Sequence, residues 1–154
     1  MIDSIQIKET APSEAPMDLL LQADPSISKV KGYLNQSRCF IASLNGESVG
    51  ACIVQPLSSG VHELMNISVA PEHQQKGVGR KLLQHVIESI RNANAERLEV
   101  GTGTFGYQLA FYQREGFRVD FIDKGFFLLN YEEPIFEDGI QLKDMLRLAI
   151  TFTE

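Results

Sequence analysis

Basic residues, cysteines and long apolar runs are all scarce in this chain. Fourteen Lys and Arg stand against twenty Asp and Glu, a net charge of −6. That balance argues against nucleic acid or an anionic membrane as the main partner, and is compatible with a cationic substrate. The only cysteines are Cys39 and Cys52, both inside strand-like apolar runs. Reduced, buried thiols are expected there, not a disulfide. Neither cysteine has metal-ligand spacing with His62, His73 or His85, so no metal site is expected. No apolar run approaches a membrane span, and Met1-Ile2-Asp3-Ser4 does not open like a signal peptide. The expected place of work is the cytoplasm.

The 154 residues, 44% hydrophobic and 22% charged, suit one globular domain over 1–154. Ile2 to Ile7 alternates and predicts a first strand. Ser13 is expected to cap a helix carrying Met17, Leu20 and Leu21, broken by Asp24-Pro25. Ser26 is expected to cap a second, with Ile27, Val30 and Leu34 at helical spacing. Cys39 to Leu44, Asn45-Gly46 and Ser48 to Leu57 predict a hairpin with a type I′ turn. His62 to Val69 reads as a fourth strand, stopped by Pro71.

From Val78 to about Asn94 an apolar stripe of Val78, Leu82, Leu83, Val86, Ile87 and Ile90 predicts the longest helix. Arg97 to Thr102 follows as a strand, so strand, helix and strand imply a parallel crossover. Tyr107 to Glu115 predicts a short helix, Phe117 to Asp123 a strand, and Lys143 to Phe152 a last strand. Asn130 to Gly139 reads as irregular and acidic. This order predicts an α+β domain of three layers, with helices on both faces of a mixed sheet.

The most informative stretch is Gln74-Gln75-Lys76-Gly77-Val78-Gly79, between the fourth strand and the long helix. A strand, a glycine turn and a helix N-terminus leave backbone N–H groups pointing outward. With the positive end of the helix dipole they favour an anion, usually a phosphate. Glycines at 77 and 79 remove the Cβ atoms that would block a pyrophosphate. The turn lacks the Gly-Lys-Ser/Thr of a nucleoside-triphosphate loop and the third glycine of a dinucleotide fingerprint.

Downstream comes Phe111-Tyr112-Gln113-Arg114-Glu115-Gly116-Phe117. A strand with a Gln-x-x-Gly-x-Gly turn, then Phe-Tyr-x-x-x-Gly-Phe, together resemble the GNAT acetyltransferase superfamily, and the order of elements matches over nearly the whole chain. The resemblance implies the GNAT fold: a mostly antiparallel mixed sheet of six to seven strands with a central parallel β-α-β crossover. It implies acetyl-coenzyme A as co-substrate, without a metal. The backbone of Gln75, Lys76, Gly77, Val78, Gly79 and Arg80, behind Gln74, would hold the pyrophosphate, and Arg80 would add charge there. Ile67 and Val69 would pair with the pantetheine arm in the manner of an added strand. Many members carry an Asn in the loop after the strand Arg97 to Thr102; this chain has none, and Thr102 or Thr104 would supply a hydroxyl instead.

Transfer to an amine needs a base, because a lysine-like amine titrates near ~10.4. It needs an N–H donor for the oxyanion, for which Val69 is the candidate. It also needs an acid for the departing thiolate. The resemblance gives Tyr112 the acid role and offers Glu63 as base, with water as the other option and His62 a weaker one. No Cys or Ser sits in a nucleophile motif, so direct attack is expected. The expected function is an N-acetyltransferase acting on a primary amine, with a small-molecule acceptor favoured. The acidic segment after Asn130 suits a cationic acceptor. Two other readings stand beside it: an acyl-coenzyme A binding or regulatory module without catalysis, and an interaction protein with a merely structural glycine turn. In any of them the apolar last strand needs cover if it lies at an edge, and a homodimer would supply it.

Overall fold

The computed structural model of the chain describes residues 4–152. Seven strands form one sheet: β1 (Gln6–Thr10), β2 (Arg38–Leu44), β3 (Glu47–Pro56), β4 (Val61–Val69), β5 (Arg97–Gly103), β6 (Arg118–Asp123) and β9 (Met145–Thr151). Their order across the sheet is β1-β2-β3-β4-β5-β9-β6. Only β4 and β5 run parallel; the other neighbours are antiparallel. Two-residue strands β7 (Phe136–Glu137) and β8 (Ile140–Gln141) form a separate ribbon.

Among the described residues five α-helices complete the fold: α1 (Met17–Ala23), α2 (Ile27–Leu34), α3 (Val78–Asn92), α4 (Tyr107–Arg114) and α5 (Phe126–Asn130). The α3 stripe falls where its spacing requires, with Leu82, Leu83, Val86 and Ile90 fully buried. It packs on Phe40, Cys52, Val54, Leu64, Leu98 and Leu148 from one sheet face. Each such side chain contributes about 1.5–3 kcal/mol by leaving water. On the other face Leu20, Val30, Tyr33 and Leu34 of α1 and α2 cover Ile41, Ala51 and Ile53. The sheet is therefore the middle of three layers, as the sequence implied.

Local signals held where the chain supplies its own partner. Ser26 Oγ accepts from Lys29 N at 3.3 Å and caps α2. Asn45 and Gly46 both take positive φ, 52° and 82°, as a type I′ turn requires. Cys39 and Cys52 are free and buried.

Other expectations need correction. The first strand is Gln6–Thr10, because its partner β2 fixes the register from Gln6–Ser43 to Thr10–Cys39. Ile2, the expected start, lies outside the described residues. Ser13 does not cap α1; it sits in a 3-10 turn, Pro12–Glu14, and α1 starts after Pro16 without a side-chain cap. The acidic segment is not wholly irregular. Asp138 and Gly139 take φ of 52° and 77° and turn β7 onto β8. The last strand, β9, is not an edge: it runs between β5 and β6. That burial explains its apolar composition, and the edge on that side of the sheet is β6.

Candidate active site

β4 and β5 pair only from Val61–Arg97 to Leu64–Val100. Past that point the two strands run on to Val69 and Gly103 unpaired with one another. A bulge in β4 drives the parting. Leu64 faces Val54 and Asn66 faces Ile53, which leaves Met65 as the extra residue and bends the strand. Ala70 N donates to Val49 O at 2.8 Å, toward β3. Alternation then turns the N–H and C=O of Val69 and Ile67 toward the open wedge. The Val69 carbonyl accepts from Gln74 Nε2 at 2.9 Å, which ties the glycine turn to the strand end.

The turn itself is wound tightly. Gln75 has φ 61° and Gly77 φ 87°, the left-handed region where glycine is at ease. Gly77 caps α3, and Lys81 N is bonded to Gly77 O at 3.1 Å. The amides of Val78, Gly79 and Arg80 precede that bond and have no intrahelical acceptor. They open into a cleft of about 840 Å³ whose walls include Ile67, Val69, Gln74, Gln75, Gly77, Gly79 and Arg80. A Cβ on Gly79 would lie 3.5 Å from Val69 Cγ2 and 3.7 Å from Phe111 Cζ, so the glycine leaves that volume to a guest.

The remaining members of the expected set sit differently. Lys76 is exposed and off the cleft wall, and the Val78 side chain is buried under the sheet. Arg80 lines the cleft, but its Nε lies 3.3 Å from Glu115 Oε2. Lys81 Nζ donates to Ile5 O at 3.1 Å and so ties α3 to the start of the sheet. Thr102 is buried and Thr104 exposed; neither lines the cleft. Its far wall includes Gln22 and Ala23 of α1 and Tyr107, Gln108, Phe111 and Arg114 of α4. Nothing in the sequence set these apart except the Phe111 motif; Tyr107 earns its place by stacking on Phe111 at 6.0 Å.

Tyr112 stands just behind Phe111, 3% exposed, its ring 5.5 Å from both Phe111 and Phe117. Among the described residues its hydroxyl has no hydrogen-bond partner. Burial pushes its phenol up, so it keeps its proton at neutral pH.

Glu63 is on the opposite sheet face from α3. Period-two alternation alone would put Glu63 on one face with Met65 and Ile67, and the bulge breaks that alternation. Met65 packs with the α1–α2 cluster, whereas Ile67 belongs to the α3 cluster. Burial pushes the Glu63 carboxyl up, and Arg147 of β9 opposes that shift. Arg147 Nη1 donates to Glu63 Oε2 at 2.9 Å and Nη2 to Asp123 Oδ2 at 3.4 Å. Its guanidinium lies 5.2 Å above the Phe126 ring. Desolvation lowers the His62 pKa, and its Nδ1 is buried without a partner.

One polar group at the bulge carried no sequence signal beyond its place in a strand. Asn66 is 3% exposed; its Nδ2 donates to Leu20 O at 2.9 Å and to the Tyr33 hydroxyl at 3.0 Å. Its Oδ1 is buried and unpartnered. Burial pushes Tyr33 up to about 12. Asp24, at the end of α1, accepts from Ser26 N at 3.2 Å and from the Tyr131 hydroxyl at 3.4 Å. Among the described residues no group of three or more His, Cys, Asp or Glu side chains is placed to hold a metal. Nor is any helix long and apolar enough to cross a membrane.

A parted parallel pair, a glycine turn at a helix N-terminus and the Phe-Tyr helix beside it line one cleft. Residues 35–119 match the family description "Acetyltransferase (GNAT) domain". An uncharacterized N-acetyltransferase, YvbK of Bacillus subtilis, is 42% identical over 134 residues, 86% of each chain. A GNAT family acetyltransferase from Elizabethkingia anophelis, solved with acetyl-CoA bound, superposes with TM-score 0.92. It is 40% identical and covers 97% of this chain and 99% of its own. A Bacillus subtilis acetyltransferase solved with CoA gives TM-score 0.86 and 39% identity, covering 96% and 97%.

The chain belongs to the GNAT acetyltransferase family. It is an N-acetyltransferase of that fold, with acetyl-coenzyme A as its co-substrate.

Proposed function

We propose that this enzyme moves acetyl from acetyl-coenzyme A to the primary amine of a small molecule by direct attack, as a single domain over 1–154 working in the cytoplasm. One observation supports the site above all others: β4 and β5 part after Leu64–Val100, directly beside the glycine turn. A pantetheine arm in that wedge meets the outward backbone of Ile67 and Val69 and extends the ladder from β4. The pyrophosphate meets the free amides from Gln75 to Arg80 and the positive end of α3. The guest competes with Glu115 for Arg80, and with Gln74 for the Val69 carbonyl.

In the reaction, the acceptor gives up a proton so that its lone pair can attack the thioester carbon. Glu63 takes that proton directly or through water; its partial burial favours proton uptake and Arg147 holds it in place. The Val69 N–H stabilises the oxyanion. As the C–S bond breaks, Tyr112 passes its proton to the leaving sulfur and regains one from the attacking nitrogen, which sheds its second proton as the intermediate collapses; burial keeps the phenol protonated until then. Asp24 and the carboxylates after Asn130 give the acceptor side a negative character that suits a second cationic group on the substrate.

A transfer screen over polyamines, aminoglycosides, amino acids and short peptides tests this, with thiol release as readout and acceptor-free hydrolysis as blank. Release above blank with one small amine class is expected. Release only with peptides would refute the small-molecule acceptor, and none with any amine would refute amine transfer.

A further inference from the structure

Strand β6 is the free edge of the sheet beyond β9, and five of its six residues are exposed, Val119, Phe121 and Ile122 each by about half. Exposed apolar edges are hazards that proteins normally cover. The pattern along this one is unusual. Val119 and Ile122 lie opposite Leu148 and Leu146, so they share the α3 face. Arg118, Phe121 and Asp123 lie opposite Ala149, Arg147 and Met145, on the other face. Asp120 is the extra residue of a bulge and pairs with Arg97, which puts it on that other face too.

Read along the strand, with "other" for the face away from α3, the order is other, α3, other, other, α3, other. That order is the same in both directions, and the residues at its two ends, Arg118 and Asp123, carry opposite charges. Laid antiparallel on a copy of itself about an axis between Asp120 and Phe121, the strand puts Arg118 opposite Asp123 and Val119 opposite Ile122. Every opposed pair then shares a face. A regular strand alternates and cannot match a bulged edge in this way; a second copy can. Arg118 makes no hydrogen bond or ion pair among the described residues, so its charge is available.

We propose that two copies of this chain pair their β6 strands antiparallel about that axis, joining two seven-stranded sheets into one. The partner is a second copy, chosen by the palindromic face pattern and the Arg118–Asp123 charge match.

Sedimentation velocity over roughly a hundredfold concentration range should show a dimer of the wild-type chain. Ile122→Lys should halve the sedimenting mass while its circular dichroism and melting stay native. A second measurement fixes the register. Under mild oxidation an equimolar mixture of Val119→Cys and Ile122→Cys chains should form a disulfide-linked dimer, and neither variant alone should. The buried Cys39 and Cys52 stay out of that reaction. A wild-type monomer throughout the range overturns the proposal. So does a dimer indifferent to Ile122→Lys, or cross-linking by one variant alone that equals the mixture.

Discussion

Arg147 and Glu63 meet across β5, Nη1 to Oε2 at 2.9 Å, over a residue that has no side chain. Gly101 lies beneath them; a Cβ there would come within 3.1 Å of Arg147 Nη1. The base candidate is thus held by a cation that also opposes its protonation. Burial raises the Glu63 pKa and Arg147 lowers it, so removing Arg147 leaves burial and the nearby Glu99 charge, both of which raise it. Arg147→Gln should shift the acid limb of the kcat/KM profile to higher pH. The sign follows from the carboxylate being the active form. Glu63→Gln should lower kcat/KM by about 10²–10⁴ and flatten that limb. An acid limb unmoved in both variants would show that water does this work without Glu63.

Gly77 sits at φ 87° in front of the free amides. Gly77→Glu adds a strained backbone, of order 1–3 kcal/mol, and a carboxylate where phosphate charge must go. Calorimetric titration with coenzyme A should show no binding. Gly77→Asn, which tolerates the left-handed region, should retain most of it. Equal affinity in the Glu variant would place the pyrophosphate elsewhere.

Tyr112→Phe keeps the ring between Phe111 and Phe117 and removes only the hydroxyl. Melting temperature and the KM for acetyl-coenzyme A should stay near wild type, while kcat falls by about 10²-fold or more. Undiminished turnover would make Tyr112 a core aromatic and nothing further.

Asn66 ties the bulge to α1 and α2 through Leu20 O and the Tyr33 hydroxyl. Asn66→Ala removes both Nδ2 bonds, though the Leu20 carbonyl keeps the Asp24 N–H at 3.1 Å, and should lower unfolding free energy by about 1–3 kcal/mol. Tyr33→Phe, which removes one partner and keeps the ring, should cost less. Urea denaturation of the two variants gives the ranking, and the reverse order would show that Asn66 is not the joint.

The elements that could be read in advance are those whose signals are local. Ser26, the Asn45-Gly46 turn and the α3 stripe each carry their instruction within a few residues. The glycine turn was legible for the same reason: backbone freedom at Gly77 and Gly79 is a property of those residues alone. The β4 bulge was not legible, since it arises from register against β3, and with it went the face of Glu63. Within its own apolar stretch Arg147 carries no local signal of a partner. Only the placement of β9 beside β5 shows what it touches. That same placement makes β6, not β9, the edge on that side of the sheet.

A sheet with an open seam is weakest along that seam. Past Leu64 and Val100 the ladder has no rung until a ligand supplies one. The acyl donor is then a folding ligand as well as a reagent: at a hundred times its Kd it would add about 2.7 kcal/mol to global stability. Slowed amide exchange at Ile67 and Val69 would report it first. In a cell short of that donor, the enzyme would be both idle and easier to unfold, so its lifetime would follow its fuel.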